Sequence, residues 1–445
     1  MRKIHRLLSL TGSAVALGLF LVFTPAGSAA AKDSSDRHGR ETGRIVAIGD
    51  IHGAFDPFVE ILRATGLVDE ENNWAGGETT LVQTGDFTDR GADVRAVMDL
   101  LIELQRQAPD HGGEVIVLLA NHETMNLASV YRDVSPAAMV YFGDDDSERR
   151  RQEAWERQIA IESRRAEMRG EPPPTLTDED REEWLAELPL GLIEYAAALG
   201  PGGEYGRWLR SLPTVVQIDG TIFMHAGIEP QHSSMSLEEI NERVWEEVET
   251  HDRIKREMVE AGLIHPHSTL REMTSVAREL RQAFIRRAGA GEQLSPTELA
   301  LGRTFDELLR EVRRWFLLLP EGPLWTRGPA LWTYDEGDPQ LTEVLQAYGA
   351  QRFVVGHTPM RDGRIRTRLD DRVFLIDTGM LTEVYGGQAA ALEILEGKFT
   401  AVYTDGREVL VEPDEESTDC AAASRQTVVC PRTLPALEEA AGRAP

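Results

Sequence analysis

Lysine is nearly absent from this chain of 445 residues: only Lys3, Lys32, Lys255 and Lys398 occur, and the other basic side chains are arginine. Acidic residues outnumber basic ones, 75 to 47, for a formal net charge of −28. A general nucleic-acid binder gains affinity by neutralising phosphates with Lys and Arg, so that class and that partner are excluded. Cysteine is as scarce. Cys420 and Cys430 are the only two, too few for a thiolate metal site. In a reducing compartment they would be two thiols in a tail; in an exported protein they would form a disulfide. Closing so small a loop contributes roughly 2–3 kcal/mol in the chain-entropy model. There is no internal repeat. With 41% hydrophobic residues the chain has ample material for a core. Its length suits one large unit with insertions.

Arg2, Lys3 and Arg6 precede an apolar run from Leu7 to Phe23, followed by small residues from Thr24 to Ala31. This is the grammar of a cleaved export signal, with the cut expected after Ala30 or Ala31. The competing reading is an uncleaved membrane anchor, since the run is near the lower limit for a span. The cleaved reading places the mature chain in the periplasm or outside the cell, with no stable membrane anchor. No cysteine lies near the cut, which excludes a lipoprotein.

From Arg44 onward one pattern recurs. Arg44–Ile48 reads as a buried strand and runs into Gly49-Asp50-Ile51-His52-Gly53; Thr80–Thr84 runs into Gly85-Asp86. Glu114–Leu119 runs into Ala120-Asn121-His122-Glu123, Thr221–Met224 into His225-Ala226-Gly227, and Arg352–Val355 into Gly356-His357-Thr358. Short apolar, β-branched runs bounded by glycine are buried-strand signals. Five times such a strand ends on a polar, metal-capable residue, which is where α/β folds place ligand sites. Between them lie charged helical stretches, Asp146–Gly170 and Ser236–Ala288. A capping box is expected at Thr304–Glu307, opening a helix whose core positions are Phe305, Leu308, Leu309, Val312 and Trp315. Arg372–Ile376, Ala391–Leu395 and Thr400–Tyr403 are expected to close a second sheet. The fold class is thus α/β (α+β), two mixed sheets packed face to face with helices outside.

Asp-x-His after a strand offers a carboxylate and an imidazole to one metal ion, and a second Asp can bridge two ions. A mixed oxygen and nitrogen shell suits manganese, iron or zinc. Two such divalent or trivalent transition-metal ions would hold and acidify a bridging water, giving a hydroxide nucleophile for phosphate esters. Each motif alone is weak; five in order, each after a strand, are not.

These blocks, with Gly85-Asp86-Phe87-Thr88-Asp89-Arg90-Gly91 in full, resemble the signatures of the calcineurin-like metallophosphoesterases. The Asp-Arg-Gly ending and Asn121-His122-Glu123 are similar to the phosphoprotein phosphatase branch, nearest its bacterial and Shewanella-like members. The resemblance covers roughly Arg44–Gly379 and implies a four-layer αββα sandwich. It implies that Asp50, His52 and Asp86 hold the first metal, and that Asp86, Asn121, His225 and His357 hold the second. His122 would protonate the leaving alcohol with Asp89 orienting it, while Arg90, Arg327 and Asn121 would bind the phosphate. Ala120 and Ala226 stand where the family has glycine. The organisation expected is a signal peptide over 1–31, a linker over 32–43 and the catalytic domain over 44–412. That domain would carry helical insertions near 130–210 and 232–320, before a weakly structured tail over 413–445.

The substrate implied is a phosphorylated protein, on Ser/Thr or Tyr, or a small phosphate monoester. A diadenosine tetraphosphate or other nucleotide hydrolase is the first alternative, against which stand Glu123 and the Asp-Arg-Gly block. The second is a secreted, non-catalytic metal-binding or interaction protein. A purely structural metal site has no need of the His122 and Asp89 pair.

Overall fold

The computed structural model describes residues 43–413, so the export signal, most of the linker and the tail with Cys420 and Cys430 lie outside the described residues. Within them, two sheets stack. The first has the order β11-β10-β9-β1-β2-β3, with β1 at Ile45–Ile48, β2 at Thr80–Gln83 and β3 at Glu114–Val117. Its other half is β9 at Ala390–Leu395, β10 at Lys398–Tyr403 and β11 at Gly406–Val411. The second sheet has the order β4-β5-β6-β8-β7, with β4 at Val215–Ile218, β5 at Thr221–Met224 and β6 at Arg352–Val355. β7 spans Arg366–Arg368 and β8 spans Val373–Leu375. Both sheets are mixed: β1, β2 and β3 run parallel, as do β5, β6 and β8, while β9, β4 and β7 join antiparallel.

Alternation along each strand sorts the side chains into layers. Ala47, Val82 and Leu392 of the first sheet meet Phe223, Val354 and Phe374 of the second in one buried cluster. Phe374 and Phe399 stack across that seam with ring centroids 4.5 Å apart. The residues between them, such as Val46, Ile48 and Leu81, turn outward to the helices on the first sheet. Ile222, Met224 and Val355 do the same on the second sheet, against Leu341 and Val344. The expected αββα sandwich is what forms.

Three strands were not expected: β4, β7 and β11. Two of the late strands also belong elsewhere than expected. Only β8 enters the second sheet; β9 and β10 extend the first, with β9 antiparallel to β1. β1 is paired with β2 on one side, and its other row of backbone groups would be buried without partners if β9 did not take it. The capping box is also placed differently. Thr304 lies inside the helix Pro296–Glu311, which Ser295 caps by accepting from Glu298 N–H. Thr304 Oγ1 instead donates to Glu257 Oε2 at 2.7 Å. Phe305, Leu308 and Trp315 are buried as expected, with Leu309 and Val312 half-buried against them. No helix among the described residues is long and apolar enough to cross a membrane.

Candidate metal centre

The parallel strands all point their C-terminal ends one way, and each hands a polar residue to the same place. Asp50 and His52 come after β1, Asp86 after β2, Asn121 and His122 after β3, His225 after β5 and His357 after β6. Backbone bonds tie these turns together. Ile51 and His52 N–H donate to Asp86 C=O at 3.0 and 2.9 Å, and Gly356 N–H donates to His225 C=O at 2.8 Å. His357 N–H donates to Asp50 Oδ1 at 3.0 Å. The approach is so close that a Cβ on Gly356 would lie 2.2 Å from Asp50 Oδ1. His52, Asp86, Asp89, Arg90 and His357 all hold positive φ, between 49° and 68°. Such backbone costs on the order of 1–3 kcal/mol per residue and persists where surroundings over-determine it.

The surroundings here include Glu123. Its buried carboxylate accepts from the N–H groups of Asp86, Phe87, Thr88 and Ala120 and from Thr88 Oγ1, at 2.7 to 3.1 Å. That one side chain clamps the Asp86–Thr88 turn to the start of the helix Asn121–Leu127. Ala120, in place of the family's glycine, is accommodated because Gly85 faces it; a Cβ on Gly85 would meet the Ala120 methyl at 2.4 Å.

Three imidazoles converge on Asp86 Oδ2: His225 Nε2 at 3.2 Å, His52 Nε2 at 3.7 Å and His122 Nε2 at 3.8 Å. The far nitrogens of two of them meet carbonyls, which only accept. His52 Nδ1 donates to Thr88 C=O at 2.9 Å and His225 Nδ1 to Thr84 C=O at 3.2 Å. His357 is reversed, donating from Nε2 to Trp325 C=O at 2.9 Å. Those bonds fix the tautomers and turn three lone pairs inward, the arrangement a metal-binding imidazole needs. His225 Nε2 and His357 Nδ1 then face each other at 3.0 Å, two lone pairs that require a cation between them. Asn121 Oδ1 is buried with no partner, again a free acceptor. The atoms of His52, Asp86 and His122 lie within 4.8 Å of one another, as do those of Asp86, His225 and His357, with Asp86 common to both groups. The donor set fits two adjacent cations.

The electrostatics obey this geometry. Burial raises the Asp86 carboxyl, yet His225, His122 and His52 outweigh it and hold the group well below the ordinary range. Burial pushes His52 down to about 3, and burial and then His225 hold His357 low, so both are neutral. His122 goes the other way. Burial disfavours its charge, but Asp86 and the hydrogen bond to Asp89 raise it to about 9. Its Nδ1 donates to Asp89 Oδ2 at 2.7 Å.

The expected phosphate grips sit at the rim. Arg90 is half-buried, with Nη1 3.3 Å from His52 Nε2 and Nη2 3.1 Å from His122 Nε2. With His122 neutral, Arg90 Nη2–H donates to His122 Nε2; once His122 is charged both atoms are donors, and an ester oxygen reached by both would satisfy them. Arg327 is exposed, and its Nη1 donates to His357 C=O and Thr358 Oγ1 at 2.7 and 2.8 Å.

Sequence reasoning missed four contributors. Asn126 Nδ2 donates to Asp89 Oδ1 at 2.7 Å and to His122 C=O at 2.9 Å, and its Oδ1 accepts from Tyr195. Its place one turn beyond His122 was the available signal. Glu123 was read as part of a motif without its clamping role. Asp377 is buried beside Asp50, and burial raises its pKa to about 6. Asp377-Thr378-Gly379 comes after β8 in the same strand-then-ligand grammar as the others. Tyr385 stacks on His52 at 5.7 Å and lies beneath Arg90 at 5.3 Å, and no sequence pattern announces it.

Known proteins agree with this geometry. Residues 43–361 match the family model described as calcineurin-like phosphoesterase. An uncharacterized protein of Schizosaccharomyces pombe is 28% identical over 79% of this chain and 76% of its own length. Shewanella-like protein phosphatase 1 of Plasmodium berghei is 25% identical over 76% of this chain and 67% of its own. Among solved structures, the cold-active protein-tyrosine phosphatase of a psychrophilic Shewanella species covers 83% of this chain and 81% of its own. At a TM-score of 0.52 and 22% identity it shares the fold. With its two sheets, its cluster of strand-end Asp and His side chains and the His122–Asp89 pair in place, the chain belongs to the calcineurin-like phosphoesterases, as a metallophosphatase.

Proposed function

We propose that this enzyme removes phosphate from phosphorylated side chains of proteins, on Ser/Thr or Tyr, using two transition-metal ions. The observation that carries the reading is the buried His122–Asp89 pair, held at 2.7 Å beside the two ligand groups that share Asp86. Asp50, His52 and Asp86 would hold one ion, and Asp86, Asn121, His225 and His357 the other. Mixed oxygen and nitrogen donors suit manganese, iron or zinc. When bound, such a pair supplies a nucleophile at neutral pH and offsets charge on the phosphate oxygens.

The protein's own groups do the rest. Arg90, and Arg327 beside His357, orient the phosphate, and Asn121 serves both metal and phosphate. His122, kept charged by Asp86 and Asp89, stands with Nε2–H toward the leaving oxygen and gives it a proton. A leaving serine or threonine alkoxide needs that proton. The relatives named Shewanella-like protein phosphatases support the protein substrate. We place the enzyme outside the cytoplasm, on the strength of the basic and apolar residues 2–23.

The test is a substrate panel on metal-reconstituted protein: phosphopeptides carrying Ser, Thr or Tyr phosphate, diadenosine tetraphosphate and aryl phosphates. We expect phosphopeptides to give the highest kcat/KM among the biological substrates. A higher value for the dinucleotide would overturn the reading. Finding the mature N-terminus at Ala31 or Lys32 supports export by a cleaved signal, and an intact Met1 rejects that cleavage.

A further inference from the structure

His251 sits in the long helix Leu237–Glu260, 1% exposed, and neither of its ring nitrogens has a partner. A buried imidazole left this way costs about 1–3 kcal/mol. Asp252 is its neighbour, but the closest approach is 3.6 Å, beyond hydrogen-bond length. The Asp252 carboxylate is taken by Arg210, in a fork at 2.7 and 2.9 Å. One turn further, Lys255 donates to Ser129 Oγ at 2.8 Å, using one of its three N–H groups.

His251 and Lys255 line the same cavity of about 230 Å³. Arg157 and Arg210 also line it, and Asp252 is its only acidic wall residue, so fixed charge there sums to positive. Much of the remaining wall is apolar and includes Ile193, Ala196, Leu199 and Pro266. Asn126 and Leu127 also line it, at the C-terminal end of the helix Asn121–Leu127 that carries His122.

We propose that this cavity is a second, non-catalytic binding site for a small organic carboxylate: an apolar body among Ile193, Ala196 and Leu199, its head on Lys255 and His251. Two further Lys255 N–H groups and one from His251, with Arg157 also on the wall, satisfy a monoanionic carboxylate. Apolar walls with a few convergent polar groups are the usual make-up of a small-molecule pocket. None of the metal-centre ligands, and neither His122 nor Arg90, lines the cavity, so ligand and substrate phosphate occupy different places.

Benzoate is the probe, titrated calorimetrically into the metal-loaded full chain with orthovanadate occupying the catalytic centre. We expect one benzoate per chain at millimolar concentration with vanadate present, and binding weaker by roughly tenfold or more in Lys255→Met. Ala196→Leu fills the cavity from the helix Leu192–Leu199 without removing a polar group, and should abolish binding even if Lys255→Met fails to fold. A benzoate-soaked crystal should show the carboxylate against Lys255. Binding lost to vanadate, binding unchanged in Ala196→Leu, or only water in the cavity of that crystal would each reject the proposal.

Discussion

Asn126 Nδ2 and Asp89 Oδ1 lie 2.7 Å apart, so the carboxylate that orients His122 is itself aimed by a residue on the same helix as His122. The second bond of that amide, to His122 C=O, locks the three residues into one unit.

Asn126→Ala should therefore lower kcat roughly 10–100-fold through loss of positioning, with metal content unchanged. Tyr195→Phe removes only the outer bond to Asn126 Oδ1 and should cost less. Kinetics paired with metal analysis decide between this and a fold defect: metal lost in step with kcat would mean that Asn126 supports the site in general.

His122→Asn keeps a polar side chain but cannot donate a proton at the leaving oxygen. Turnover of alkyl phosphates should drop by about 10²–10⁴-fold, and that of a nitrophenyl ester much less, because its leaving group departs unprotonated. Equal losses on both, accompanied by lost metal, would make His122 a ligand.

Asp86 is the carboxylate shared by both ligand groups, and its Oδ2 stands within 3.8 Å of three imidazole nitrogens. Asp86→Asn should lose at least one ion and nearly all hydrolysis. His52→Asn should weaken one ion and be partly rescued by added metal. Elemental analysis of the wild-type protein should find close to two ions per chain, and fewer in Asp86→Asn; one or none in active wild-type enzyme refutes the paired-metal reading.

Stability should carry a pH signature far from the site. Glu247 is buried against Leu317 N–H, and burial pushes its pKa from 4.5 up to about 7. A raised folded-state value means the folded protein holds that proton more tightly. Its contribution is complete below about 4.5 and is lost as pH rises through about 7, a swing of about 3 kcal/mol at most. Glu247→Gln should remove this swing. Denaturant midpoints of variant and wild type should coincide near pH 4.5 and diverge in the variant's favour by pH 8; parallel curves would show that Glu247 does not titrate in this window.

The residues at the centre were legible because chemistry and punctuation coincide there. The strands leading there are each four residues long and, taken together, mostly apolar, and the residues just after each must supply both a turn and a ligand. Asp50, Asp86, His225 and His357 therefore stand out without any tertiary information. Partnership between strands is another matter. Periodicity says which face of β9 is apolar, but not that Ala47 rather than a second-sheet strand lies opposite Leu392. The hairpin of β4 and β5 carried a readable sign, Asp219-Gly220 with both residues at positive φ, and was overlooked. Thr304 shows the converse. Its S/T-x-x-E pattern is real, but Ser295-Pro296-Thr297-Glu298 carries the same pattern earlier, and a helix starts only once. Asn126 and Asp377 act through other residues, and a sequence shows chemistry more readily than support.

The bond from His357 N–H to Asp50 Oδ1 spans 307 residues of chain. Synthesis at about 5–20 residues per second separates those two residues by on the order of 15–60 s. For that whole interval Asp50, His52 and Asp86 exist without His357, and β1 exists without the β9 that covers its second edge. The metal pocket thus cannot be assembled piecemeal as the chain emerges. The proposed ligand set is complete only once His357 has emerged, and a chain cut short before that residue lacks both a ligand and the strand that covers β1.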